Sequence, residues 1–500
     1  MNTPPEHSNR WSTARESAAL FLLVLAVGFS WCFANDKWKA ADWDLPGAYL
    51  DMRESDVLGM LATFKAAAEG HFTPVGPKKN PALGAPDGAD WADIPTIEEL
   101  PLYLTGVMAR FTGLFAALNI KLLIGHLLAA ITFYCVARYF ACTRAWSFLG
   151  GFAFGLTPYI FSESPHHSVV AIIWHLPRFL VVWNWISSEQ GLLPGSRRFW
   201  VALAVGFVTG LLNVYYTNIF CQFALLAGGL SYWKTKSLAR LTGALCVILA
   251  AATSFALMSL DTWFSTAAKG PNPHAIERSY HWLEVYALKP VDLIIPPPTH
   301  LLDSFRNFSI LHNSRIMIAN EGAYLGVLGL LCLGWVLAVS LRRGLMSPGR
   351  PLPPEFWQAL WIFAVFCTGG FNAFAGIFGV TVFRAGYRAA PVLLAIVLMF
   401  GCRRASRLWP CGGVRSLPAL VAACGLIFVD QVPRPPDHAR KAAVSLAIES
   451  DSLFVRDLED VLPPNAMLFM FPPMQFPESP IPGISPYEHF RPYLYSKSLR

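Results

Sequence analysis

The sequence predicts an all-α polytopic membrane protein, and three observations predict it. Residues AVILMFWYC make up 54% of the 500-residue chain, charged residues only 14%, and mean hydropathy is +0.43. Soluble domains carry about 25% charged residues, so this chain has too little polar surface for an ordinary water-facing fold. That excludes a secreted enzyme, a cytosolic domain and a disordered linker protein. Nearly uncharged apolar runs of helix-spanning length recur along the chain. Basic and acidic residues also segregate into alternate loops, as the positive-inside rule requires.

The runs fall near 17–35, 121–140, 146–161, 169–187, 199–213, 214–231, 241–259, 322–341, 356–379, 389–402 and 416–430. That is about 11 transmembrane helices. The stretch 100–118 is apolar but carries Arg110 and runs straight into the next span, which predicts an interfacial or re-entrant helix. Arg10 and Arg15 precede the first span. With that end inside, the inside loops hold 16 basic residues, from Arg10 to Arg415, against four acids, Glu6, Glu16, Glu189 and Glu355. The other 28 of 32 acids fall on the opposite side or at its edge, so the N-terminus is expected inside and the C-terminus outside. Asn35, Asp36 and Lys37 do not resemble a cleavage site, so the first run reads as a retained anchor. All ten cysteines lie in spans or inside loops, and no Cys/His spacing suggests zinc.

Residues 1–430 therefore form the transmembrane domain, with long outside loops at 36–100 and 260–321. Residues 431–500 form an extracytoplasmic C-terminal segment, expected either to continue beyond Arg500 or to be a small domain on the membrane face. No internal repeat is visible.

Chemistry in water is confined to the outside stretches. Glu54-Ser55-Asp56 lies about twenty residues after the first span. Carboxylates at i and i+2 can coordinate a divalent cation such as Mg or Mn, and a single one can act as a general base. Acids in an outside loop also simply follow topology. The turn Ser162-Glu163-Ser164-Pro165-His166-His167 offers a histidine pair for phosphate, metal or interfacial anchoring. Arg178 lies within an apolar run, where a cation faces a cavity or snorkels to the interface. Asn213-Val214-Tyr215-Tyr216 could line a cavity, with aromatic-belt anchoring the favoured role for the tyrosines. In the second long loop Lys289 and His300 are candidates to meet an anionic ligand, and Glu284 joins them as a substrate-binding candidate. Arg384 and Arg388 stand at the outside end of a span, against the charge rule. A lipid phosphate, which guanidinium binds bidentately, is the simplest reason, and pairing with loop acids is the alternative.

These pieces occur in a specific order. The acidic first loop is followed by Leu83-Gly84-Ala85-Pro86, Asp93-Ile94-Pro95 and Pro158-Tyr159-Ile160-Phe161 with a histidine beyond it. Then come Val214-Tyr215-Tyr216, Asp292-Leu293-Ile294-Ile295-Pro296 with His300, and Arg384-Ala385-Gly386-Tyr387-Arg388. Last is Phe476-Pro477-Glu478, followed by Arg491-Pro492-Tyr493-Leu494-Tyr495-Ser496 and Leu499-Arg500. Over about 17–500 this succession resembles the YfhO-like bacterial multi-span proteins, which are similar to GT-C superfamily glycosyltransferases. Related proteins carry Gly where this chain has Ser55.

The resemblance implies a GT-C-like membrane glycosyltransferase of the bacterial inner membrane. It would take a polyprenyl-phosphate-linked sugar and pass it, with inversion, to a cell-envelope glycan, lipid or protein on the outer face. Carried over, Asp56 is the general base and Glu54 completes an ExD-like pair, with or without a metal. Arg384, Arg388 and Lys289 would stabilise the leaving phosphate, and His167 and His300 would shape the donor or acceptor site. Two other readings stand beside it: a transporter or flippase for a lipid-linked glycan, and a non-catalytic scaffold. Convergence of Asp56, His167 and Arg384 on one outer cavity would favour the enzyme. Nucleic-acid binding is not expected, because the inside basic residues follow topology.

Overall fold

An apolar run with few charges closes its backbone hydrogen bonds most simply as a helix, and the computed structural model of the protein is mostly helical. It describes residues 13–47, 49–50, 56–93, 98–164, 166–275, 278–316, 321–346, 349–410, 417–474, 476–477, 481, 484 and 487–500. Glu54, Ser55, Ile94, Pro95, Cys411 and Glu478 lie outside the described residues.

The chain forms α1 (Thr13–Asn35) and α2 (Val57–Glu69), then pairs β1 (Lys79–Asn80) antiparallel with β2 (Ala89–Asp90), Lys79 opposite Asp90. Helix α3 (Glu99–Thr112) follows, then α4 (Leu114–Tyr139), α5 (Arg144–Gly155) and α6 (Pro158–Glu163). Next come α7 (Pro177–Ser187), α8 (Arg197–Gly210), α9 (Val214–Thr235) and α10 (Leu238–Met258). The second long loop folds as α11 (Leu260–Lys269), α12 (His281–Val285) and α13 (Asp303–Asn313). Then α14 (Gly326–Met346), α15 (Pro354–Phe366), α16 (Phe371–Ile377), α17 (Ala390–Leu408) and α18 (Leu417–Gln431) complete the bundle. The C-terminal segment holds α19 (His438–Val461) and α20 (Phe490–Tyr495).

Among the described residues, five helical stretches, against the eleven expected, have the length and composition of a full crossing: Ala14–Asn35, Leu114–Tyr139, Leu238–Met258, Gly326–Met346 and Gly386–Leu408. The other six expected spans fall on helices that are shorter or more polar. Helix α7 has 11 residues, α15 has 13 and α18 has 15, while the 22-residue α9 carries Thr217, Asn218 and Gln222. The expected interfacial helix at 100–118 is α3, separated from α4 by Gly113 at φ +87°, a conformation that favours glycine. Arg110 is used there to hold α3 on α2, donating to the carbonyls of Ala68 (2.7 Å) and Ala67 (3.1 Å).

Helix α17 is the axis of the main core. Its apolar stretch is 89% buried inside the protein, against 28% for α1. Leu393, Ile396 and Val397 pack there with Phe133, Phe154, Phe179 and Phe220 from the helices around it. A second core joins Val57, Leu61 and Phe64 of α2 to Trp91, Val444, Phe490, Tyr493 and Leu494. The C-terminal segment thus shares a hydrophobic core with the first long loop.

The two ends of the bundle carry opposite patterns. At one end Glu16 receives Arg138 (2.9 Å) and Arg144 (2.7 Å), and Arg403 pairs with Glu355 (2.7 Å). At the other end the three long segments meet. Lys78 binds both Glu99 and Asp261, and Lys269 pairs with Asp90 (2.7 Å). Lys441 bridges Asp36 (2.8 Å) and Asp42 (2.6 Å), and the Arg434 amide donates to the Thr299 carbonyl (2.8 Å).

Candidate functional site

Asp56 immediately precedes α2, where a helix start leaves amides without intrahelical partners. Its side chain does not cap them. It turns instead to the segment after α6, with Oδ2 3.4 Å from His167 Nε2. The backbone of that segment is set by the His167 amide donating to the Glu163 carbonyl at 2.6 Å. The other ring nitrogen, Nδ1, lies 3.5 Å from Glu163 Oε2, so each imidazole nitrogen faces one carboxylate. The two carboxylates differ in setting: Asp56 is 48% exposed and Glu163 only 7%.

This arrangement favours a charged imidazole. Burial alone would lower the His167 pKa, but Glu163 and then Asp56 outweigh it and the pKa is raised. Burial would likewise raise Glu163, yet His167, Arg388 and Tyr387 hold its carboxyl below the ordinary range. The Asp56–His167 pair is open to water and worth only about 0–1 kcal/mol of stability. Its value is in direction and charge.

Arg388 lies in the turn Gly386–Ala389 that leads into α17. Gly386 is required there because a Cβ would meet the Phe366 carbonyl oxygen at 2.6 Å and the Leu288 amide at 3.2 Å. The Tyr387 amide donates to the Tyr286 carbonyl (3.1 Å), which draws the second long loop against this turn. The Arg388 guanidinium carbon is 4.6 Å from the Tyr215 ring centre, and its buried Nε has no hydrogen-bond partner among the described residues. Arg384 lies 6.0 Å from the Tyr286 ring centre. Burial and the like charges of Arg278 and Arg388 all oppose the charge on Arg384. A guanidinium can stack on aromatic faces and bind an anion bidentately through its planar fork.

Asp56, His167 and Arg388 therefore come into one neighbourhood, with Glu163 between them and Arg384 beside Arg388. The tyrosines expected as belt anchors line it from inside. Tyr216 is fully buried; its hydroxyl donates to the Val170 carbonyl (2.8 Å) and pairs with Tyr159 Oη at 2.8 Å. Lys121 reaches the same wall, donating to Ser168 Oγ next to His167.

The remaining candidates are placed elsewhere or otherwise engaged. His300 is buried beside Asp430 (4.0 Å), and its Nδ1 accepts from the Leu302 amide (3.0 Å), in an apolar groove between α14 and α18. Lys289 donates to the Val285 carbonyl (2.8 Å), and burial lowers its pKa. Arg178 stacks on Trp174 at 4.7 Å. Glu284 is half-buried on α12.

Of the pair expected to hold a divalent cation, Asp56 alone is described. The Asp56 carboxylate faces an imidazole whose charged form is favoured, and among the described residues no three His, Cys, Asp or Glu side chains come together. Glu54 lies outside the described residues, so the ExD pair has only its Asp56 half on view.

Glu163 and Tyr387 are the residues that sequence reasoning left without a role. The available signal was spacing: Glu163 and His167 are i and i+4 across a turn, the separation that brings side chains together. No protein-family model matches the chain, and no curated protein matches it either.

Proposed function

We propose that the protein is a GT-C-type membrane glycosyltransferase. It moves a sugar from a polyprenyl-phosphate-linked donor to a cell-envelope glycan, lipid or protein. The loop-bearing end would face the outside of a bacterial cytoplasmic membrane, with the shorter helices completing the bundle as partial crossings. The observation that carries this reading is a half-exposed carboxylate, Asp56, facing His167 in the neighbourhood of the aromatic-backed arginines Arg384 and Arg388.

In this reading Asp56 takes the proton of the acceptor hydroxyl as that oxygen attacks the anomeric carbon of the sugar. The carbon–oxygen bond to the polyprenyl phosphate breaks, and its electron pair leaves on the phosphate. Arg384 and Arg388 stabilise the charge that develops there. A single displacement inverts the anomeric centre.

The experiment compares envelope glycans in a deletion strain, the same strain carrying the wild-type protein, and the strain carrying Asp56→Asn at equal membrane abundance. One sugar modification is expected to vanish on deletion, return with wild type and stay absent with Asp56→Asn. Restoration by Asp56→Asn would remove the base from the mechanism. A deletion that alters no glycan under conditions of expression would favour the transport or scaffold reading.

A further inference from the structure

Glu163 occupies a costly place in the site. It ends α6, where the helix dipole disfavours an anion, and its side chain is 7% exposed. A buried carboxylate is tolerated only with compensating partners. Those partners are not scaffold groups. They are His167, whose Nδ1 is 3.5 Å away, and the Arg388 and Tyr387 side chains, all in the proposed site. From one end to the other the charges alternate: Arg388 positive, Glu163 negative, His167 positive, Asp56 negative.

A histidine with one free ring nitrogen can adopt either tautomer and either ring flip. A carboxylate on each side, at 3.4 and 3.5 Å, favours a proton on both nitrogens and one ring direction. We propose that Glu163 is a positioning residue: through His167 it aims the Asp56 carboxylate, and through Arg388 it ties that carboxylate to the phosphate-facing end of the site. The inference rests on the transferase reading above. Glu163 touches neither donor nor acceptor in it. Removing its charge leaves His167 Nδ1 without an anionic partner and releases the ring, and Asp56 loses the contact that directs it.

The test uses the full chain in lipid nanodiscs, with histidine labelled by nitrogen-15 and the His167 signal assigned by its loss in His167→Gln. Glu163→Gln is expected to move the His167 Nδ1 resonance from the imidazolium position towards the neutral one. In cells, at equal membrane abundance, it is expected to lower the glycan product at least about tenfold, because misdirected catalytic groups lose rate steeply. Glu163→Asp, which keeps the charge, should restore the imidazolium signal and part of the product, and it serves as the second variant if Glu163→Gln fails to fold. An unchanged His167 signal and wild-type product in Glu163→Gln, with Asp56→Asn inactive, would overturn the positioning role and leave the transferase standing. Wild-type product from Asp56→Asn would overturn the transferase instead, and the His167 resonance alone would then decide whether Glu163 sets the ring.

Discussion

Glu459 gathers the amides of Lys497 and Ser498 at 2.7 Å and the hydroxyls of Ser496 and Ser498 at 3.0 Å. Burial opposes its charge, but these donors outweigh it and push the pKa down to about 2. A depressed carboxylate stabilises the fold above its unfolded pKa, and that contribution is lost as pH falls towards about 2. Glu459→Gln is therefore expected to speed hydrogen exchange at 496–500 at neutral pH, by about 1 kcal/mol of local opening after screening by water. The difference from wild type should shrink as the medium is acidified to about pH 2. Exchange that is unchanged at neutral pH would remove the anchor. The same accounting applies to Glu163, where the compensating partners are site groups, and to Glu16, where they are Arg138 and Arg144. Two of the few acids expected on the inside, Glu16 and Glu355, each have an arginine at hand, which explains why they are tolerated there.

Elements divide into those whose length speaks for itself and those that borrow their place from neighbours. A run of 11 to 15 apolar residues reads alike as a short span or as a buried helix, which is why α7, α15 and α18 were legible as helices while their lengths were not. Helix α3 shows what decides such cases. Gly106 lets it lie directly on α2, since a Cβ there would meet Ala67 Cβ at 2.4 Å and the Phe64 carbonyl at 2.6 Å. Neither neighbour is a flexible tip. Gly106→Val is expected to cost about 1–3 kcal/mol, read as a lower melting temperature in detergent. Gly28→Ala, inside α1 with an added atom that meets nothing within 4 Å, is the control that should not lower melting. Equal melting for the two variants would sink the close-packing account of α3.

At the scale of the whole molecule, charge sorting predicts one face for the three long segments, and the contacts Lys78–Asp261, Lys269–Asp90 and Arg434–Thr299 bring them to one end. That shared end makes orientation testable with two positions. A cysteine at Ser452, exposed on α19, is expected to react with a membrane-impermeant maleimide in intact cells. A cysteine at Lys236, exposed after α9, is expected to react only after the membrane is opened. The reverse pattern would invert the topology and place Asp56 in the cytoplasm. The buried triad of Lys78 with Glu99 and Asp261 shows why these segments act together. A lysine without both carboxylates would be an uncompensated charge, so the first and second long loops hold each other in place.

The sequence by itself determined the membrane class, the helical character and the grouping of loops, because hydropathy and charge sorting are sums over residues that need no partner. It also singled out Asp56, His167 and Arg388, since polar groups beside apolar runs are costly wherever they lie. Only the tertiary structure decided that Glu163 stands between them, that His300 belongs with Asp430, and that Tyr216 is buried instead of anchored at an interface. It also decided that the C-terminal segment is built into the first long loop's core. Each of these is a pairing across many residues of chain, and a pairing is fixed by packing geometry that residue type and spacing do not encode.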